Sequence, residues 1–212
     1  MKKSIVGIVG AAGLAIAGSA SAQTFNGTGF AIPDNNVAGI TSTTGATVGA
    51  LPTIDTVTVS MTFSPVHTWG GDITAILSYS GGGSVTFINR IGSTTALGVG
   101  DSSDLAGPYV FQDGGASIWT AAAAAGAAVA IPAGTYEPHT RSATFAYEAS
   151  SFNSVFGGLS SSGEWTLFVS DGAGGDTGGV SAWSVTITTV PTPGAMALLG
   201  LGGLVATRRR RA

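Results

Sequence analysis

Apolar and polar residues alternate with a period of two along several stretches of the chain. Between Ile54 and Phe63, Val57, Val59, Met61 and Phe63 alternate with Thr58, Ser60 and Thr62, which predicts a strand with one buried and one polar face. From Asp72 to Tyr79, Ile73, Ala75, Leu77 and Tyr79 share one face, while Ile76 breaks the alternation and predicts partial burial of both. Gly81, Gly82 and Gly83 then permit the positive φ of a tight hairpin, with Val85 and Phe87 on the return strand. Near the end, Trp165, Leu167 and Val169 form one alternating run and Trp183, Val185 and Ile187 another. The acidic, glycine-rich segment DGAGGDTGG (171–179) separates them, and the arrangement predicts a hairpin with a long connection, its two tryptophans on inner faces. Many short strands without crossover helices favour a β-sandwich over a parallel sheet. Residues 93–150 carry little pattern; the alanine run 121–130, interrupted by Gly126, reads as a loop or helical turn over the sandwich.

The two ends of the chain break the β pattern. Residues 1–22 comprise Lys2 and Lys3, an apolar run from Ile5 to about Ala17, and the small residues Ala20, Ser21 and Ala22, the order of a secretory signal peptide cleaved between Ala22 and Gln23. Residues 191–212 comprise Pro191, Thr192 and Pro193, an apolar run from Gly194 to Ala206, and Arg208, Arg209, Arg210 and Arg211. As a helix that run rises about 20 Å, short of the roughly 30 Å hydrocarbon core, and the arginines resist translocation. It suits a transient membrane contact rather than a permanent anchor. The expected organisation is thus a leader (1–22), one β domain (23–190) and a sorting segment (191–212).

Composition narrows the chemistry. The chain has 212 residues, no cysteine, two histidines and 9% charged residues. Disulfide frameworks, thiol nucleophiles and cysteine-based zinc or iron–sulfur sites are excluded. Between the two ends, Arg90 and Arg141 are the only basic residues against all eleven acidic ones, so the domain repels a phosphate backbone and nucleic acid is not an expected partner.

Within the β domain, Val66-His67-Thr68-Trp69-Gly70-Gly71-Asp72-Ile73 resembles the His-Thr-x-x-Gly-Asp-Leu stretch of the P domain, or Homo B domain. That domain follows the subtilisin-like catalytic domain in proprotein convertases and kexins and is widespread in bacterial secreted proteins. Gly163-Glu164-Trp165-Thr166-Leu167, Asp171, Gly175-Asp176-Thr177-Gly178 and Ser181-Ala182-Trp183-Ser184-Val185 are similar to its closing pattern. Ala31 to Asn35 and Gly134 to Pro138 are similar to further segments, so the resemblance spans about residues 28 to 190. It implies a jelly-roll-like β-sandwich of about eight antiparallel strands. The C-terminal layout resembles the PEP-CTERM sorting signal recognised by exosortase, with Thr192 in place of the usual glutamate. That resemblance implies removal of the tail near Pro191 to Pro193 and delivery to the envelope, the surface or the medium, with export machinery and exosortase as partners.

Individual residues carry more specific expectations. Asp72 follows Gly70 and Gly71 and precedes a strand, so its carboxylate is placed to accept backbone N–H bonds in the turn, with His67 as a possible pair. A Ser-His-Asp set would need a serine on His67, but neither a Gly-x-Ser-x-Gly elbow nor a subtilisin-like catalytic segment occurs, so no intrinsic catalysis is expected. His67, Trp69, Gly71, Asp72, Trp165 and Trp183 are accordingly structural motif residues, and His139, beside Pro138, reads as solvent-exposed. Asp171, Asp176 and Thr177 offer oxygens for Ca²⁺ in a glycine-rich loop, with Asp34 and Asp113 as possible outside ligands, although Asp and Gly are also ordinary turn residues. Three classes of function follow: a non-catalytic envelope module, an accessory to a separate subtilisin-like protease, or a glycan-binding adhesin.

Overall fold

A computed structural model describes residues 21–45, 52–96 and 98–190. The leader up to residue 20 and the segment 191–212, including Pro191, Thr192, Pro193 and the four terminal arginines, lie outside the described residues.

Eleven strands occur among the described residues: β1 (Ser21–Ile32), β2 (Asn36–Thr43), β3 (Thr53–Phe63), β4 (Ile73–Tyr79), β5 (Ser84–Asn89), β6 (Tyr109–Ala116), β7 (Gly134–Tyr136), β8 (His139–Arg141), β9 (Tyr147–Ala149), β10 (Trp165–Asp171) and β11 (Gly178–Val190). One sheet has the order β1-β11-β3-β6-β7 and the other β2-β10-β4-β5, while β8 and β9 pair separately. Without the three-residue strands β7, β8 and β9, eight strands remain. They form two antiparallel four-stranded sheets between which the chain switches repeatedly, a jelly-roll order of the kind the resemblance implies. The extra strands belong to the weakly patterned region, and β7 adds a parallel edge beside β6.

Alternation dictates the core. Val57, Val59, Met61 and Phe63 from β3 and Trp183, Val185 and Ile187 from β11 meet Ala75, Leu77 and Tyr79 from β4 and Trp165, Leu167 and Val169 from β10, all of them buried. Trp165 stacks on Tyr79 at 4.3 Å between centroids, with Phe156 edge-on at 5.0 Å. Such contacts add to the several kcal/mol that burying each large ring contributes. Trp183 lies in the opposite sheet, its Nε1–H donating to the Ser42 hydroxyl at 3.0 Å. Both tryptophans are therefore core residues, as expected.

One expectation fails in the fold. β10 and β11 do not form a hairpin; they lie in different sheets, and residues 172–177 cross from one to the other. Equal alternation on both strands is consistent with either arrangement, because each faces the same core from its own side. The β4–β5 hairpin does form, with Gly82 and Gly83 at φ +126° and +90° in its turn.

The region between β6 and β10 is folded onto the sandwich rather than being loop alone. Helix α1 (Ile118–Ala125) starts at Ser117, whose hydroxyl accepts the Thr120 N–H, and ends at Gly126 with φ +88°. Helix α2 (Phe152–Phe156) inserts Phe152 and Phe156 into the core. Its first turn is held by Asp113, which accepts the Phe152 and Asn153 N–H groups at 2.9 and 3.2 Å. Asp113 thus has a structural position away from the acidic loop.

Candidate functional site

The registers place the ends of β1, β3, β5 and β10 and the starts of β2, β4 and β11 at one end of the sandwich: Ile32 faces Gly178, Phe63 faces Val180, and Asp171 faces both Ile73 and Asn36. This geometry brings the segment 64–72 against the segment 171–179. The Ser64 N–H donates to Gly179 O at 2.8 Å, the Gly179 N–H to Pro65 O at 3.1 Å, and the Gly172 N–H to Asp72 O at 2.9 Å. At Gly178 an added Cβ would lie 2.7 Å from Cα and Cβ of His67, so only glycine lets the two segments approach this closely.

His67 and Asp171 are both fully buried, with His67 Nε2 3.2 Å from Asp171 Oδ2. The Trp69 N–H donates to His67 Nδ1 at 3.4 Å, which assigns the ring proton to Nε2 and makes that nitrogen the donor to the carboxylate. Asp171 Oδ1 accepts the Ala173 N–H at 3.0 Å. The Thr68 hydroxyl donates to Asp176 Oδ1 at 2.7 Å, and Asp34 accepts the Gly175 N–H at 3.1 Å, tying the connection to both neighbours. Of Asp34 and Asp113, Asp34 alone reaches this loop.

Asp72 departs from its expected role. Its Oδ1 is buried without a hydrogen-bond partner and lies 3.7 Å from the Arg90 guanidinium, so it neither accepts a turn N–H there nor pairs with His67, whose Nε2 is taken by Asp171. Burial pushes the Asp72 carboxyl up to about 6; the Asp171 charge adds to this and Arg90 opposes it. Arg90 Nε also donates to Gly71 O at 3.3 Å, and the Gly71 N–H donates to Asp101 O at 2.9 Å. Trp69 is half-buried, its Nε1–H donating to Val99 O at 2.6 Å. His67, Trp69, Gly71 and Asp72 thus converge, with Asp171 and Arg90 as the partners that local spacing had not supplied, while Trp165 and Trp183 lie in the core.

The chemical capacity of this cluster follows from its hydrogen bonds. His67 has one ring nitrogen on a carboxylate and the other on a backbone N–H, so as arranged it has no lone pair available to accept a nucleophile's proton. Asp171 has one oxygen on His67 and the other on Ala173. Among the described residues no group of three or more His, Asp and Glu side chains is arranged to hold a metal ion. Asp171, Asp176 and Thr177 belong to the same connection, but the first two are drawn to different partners across the interface, His67 and Thr68.

The second histidine is buried rather than solvent-exposed. His139 is fully buried, accepts the Asn89 N–H on Nε2 at 3.2 Å, stacks on Tyr147 at 5.5 Å and meets Trp119 edge-on at 6.1 Å. Burial pulls its pKa down to about 3, leaving the ring neutral. Arg141 crosses nearby to Asn89 Oδ1 at 3.2 Å and to the Ser93 hydroxyl at 3.0 Å. The adjacent Pro138 was the only local cue, and it gave no indication of these partners.

Ala22 and Gln23, the residues flanking the expected leader cleavage, are exposed in β1 opposite Thr188 and Ile187. No family model matches this chain, and no curated protein does.

Proposed function

We propose that this chain is an exported, non-catalytic module of the P-domain type, sorted to the cell envelope or surface by an exosortase-type system and acting there as a structural or binding domain. The observation that carries the reading is the meeting of its two separated motif segments. His67 to Asp72 and Asp171 to Gly178 contact one another through His67–Asp171, Thr68–Asp176 and the close approach at Gly178. Residues that resemble a family pattern are thereby given a shared physical task, holding one end of the sandwich closed. The jelly-roll order agrees with the fold that the resemblance implies.

The test joins processing to partnership. Protein isolated from the native envelope is expected to lack the leader and the arginine tail by intact mass, and a stable product retaining the complete C-terminus would overturn the sorting part. The same preparation, used as bait on the native secretome, is expected to retain no protease. Specific recovery of a subtilisin-like protease would replace the module reading with the accessory one, and selective retention on a glycan array would replace it with the adhesin.

A further inference from the structure

We infer that Gln23 is a modification site: once the leader is removed, the new N-terminus closes to a pyroglutamyl lactam and leaves the mature chain without any primary amine. The inference rests on the proposed export and on cleavage between Ala22 and Gln23. Lys2 and Lys3 are the only lysines, so removal of the leader takes away every side-chain amine and creates a single α-amine on Gln23.

The structure places that residue favourably. Gln23 is exposed, and its strand is held in register by β11, with Gln23 opposite Ile187 and Thr24 opposite Thr186. The Thr24 and Thr186 hydroxyls lie 2.9 Å apart, marking the register beside the new terminus. β1 itself carries no charged side chain. A lactam nitrogen is uncharged, whereas an ammonium would introduce a charge into the strand.

The reaction is an intramolecular acyl transfer. The α-nitrogen attacks the side-chain carboxamide carbon of Gln23, a C–N bond forms in a five-membered ring, and the amide nitrogen leaves as ammonia. No oxidant or co-reactant is required. With an ordinary α-amine pKa of about 7.7–8.0, an appreciable fraction is unprotonated and nucleophilic at neutral pH, and tethering on one residue supplies the proximity.

The full chain, expressed in an exporting host and recovered after processing, provides the test. The expected N-terminal peptide begins at Gln23 and is one ammonia lighter than its sequence, and the intact protein takes up no amine-reactive dye. Treatment with a pyroglutamyl aminopeptidase is expected to expose Thr24 and restore labelling at one amine per chain. Gln23→Asn, which could close only a strained four-membered ring, is expected to be labelled without that treatment. A peptide beginning at Gln23 with full mass and a labelled amine would overturn the lactam while leaving the cleavage intact. A start at any other residue would overturn the assigned cleavage and the lactam together.

Discussion

Two buried histidines solve the same physical problem in opposite ways. His67 lies between the sandwich-end segments and gives its Nε2–H to a buried carboxylate, Asp171. His139 opens β8 beside Trp119 of α1, where it accepts a backbone N–H and is kept neutral among Trp119 and Tyr147. The first site couples two segments far apart in sequence through an acid and a base; the second docks a short ribbon onto the edge of β5 through shape and one acceptor. Both ring nitrogens of His67 are hydrogen-bonded, whereas His139 is bonded through Nε2 alone and its Nδ1 is buried without a hydrogen-bond partner. The cost of breaking the two arrangements is therefore unequal.

The largest effect is expected where a carboxylate is removed. Asp171→Ala leaves the His67 Nε2–H and the Ala173 N–H without their acceptor, and at about 1–3 kcal/mol for each stranded buried donor should cost several kcal/mol in urea unfolding. A cost below about 1 kcal/mol would mean that the sandwich end does not depend on this pair and would remove the contrast with His139.

Proton linkage sets His139 against Asp72, the buried carboxyl at the sandwich end. For His139 the folded pKa, about 3, lies below the ordinary 6.5, so the unfolded chain binds the extra proton between these values and stability is lost as pH falls through that window. For Asp72 the folded pKa, about 6, lies above 3.8, so the folded chain holds the extra proton and stability is gained as pH falls. The two effects offset one another in the native sequence. Asp72→Asn should remove the gain, so that unfolding free energy measured from pH 7 to pH 4 falls by roughly 3 kcal/mol and more steeply than in the native chain. Parallel profiles for the two proteins would show that Asp72 does not oppose His139.

The smallest effect is expected from chelation. With Asp171 engaged by His67 and Ala173, and Asp176 by Thr68, the sandwich end is closed by the protein's own groups, and EDTA should leave the thermal midpoint unchanged. A clear fall in midpoint, reversed by Ca²⁺, would instead place calcium in the loop, since a ligand bound only to the folded state stabilises it.

Much of this molecule was legible one strand at a time. Alternation in β3, β4, β10 and β11 identified their buried faces, and the glycine turn after Tyr79 identified a hairpin. The candidate site was legible as two motifs, but not as pairs: His67 was matched with Asp72, five positions away, when its partner lies 104 positions away. β8 and β9, three residues each, are too short to show a period, which left His139 without a context.

What the sequence determined by itself is local: which residues alternate, where the chain can turn, which classes of chemistry its composition lacks, and that lysine is confined to its first residues. What only the tertiary structure decided is which strand lies beside which. Alternation states that a face is buried but not against what, so β10 and β11 read as a hairpin until their places in opposite sheets were known. The same limit governs polar groups. A buried histidine or aspartate requires a partner, but the choice depends on which loops the sandwich gathers at one end, and that is set by packing of the whole chain rather than by spacing along it.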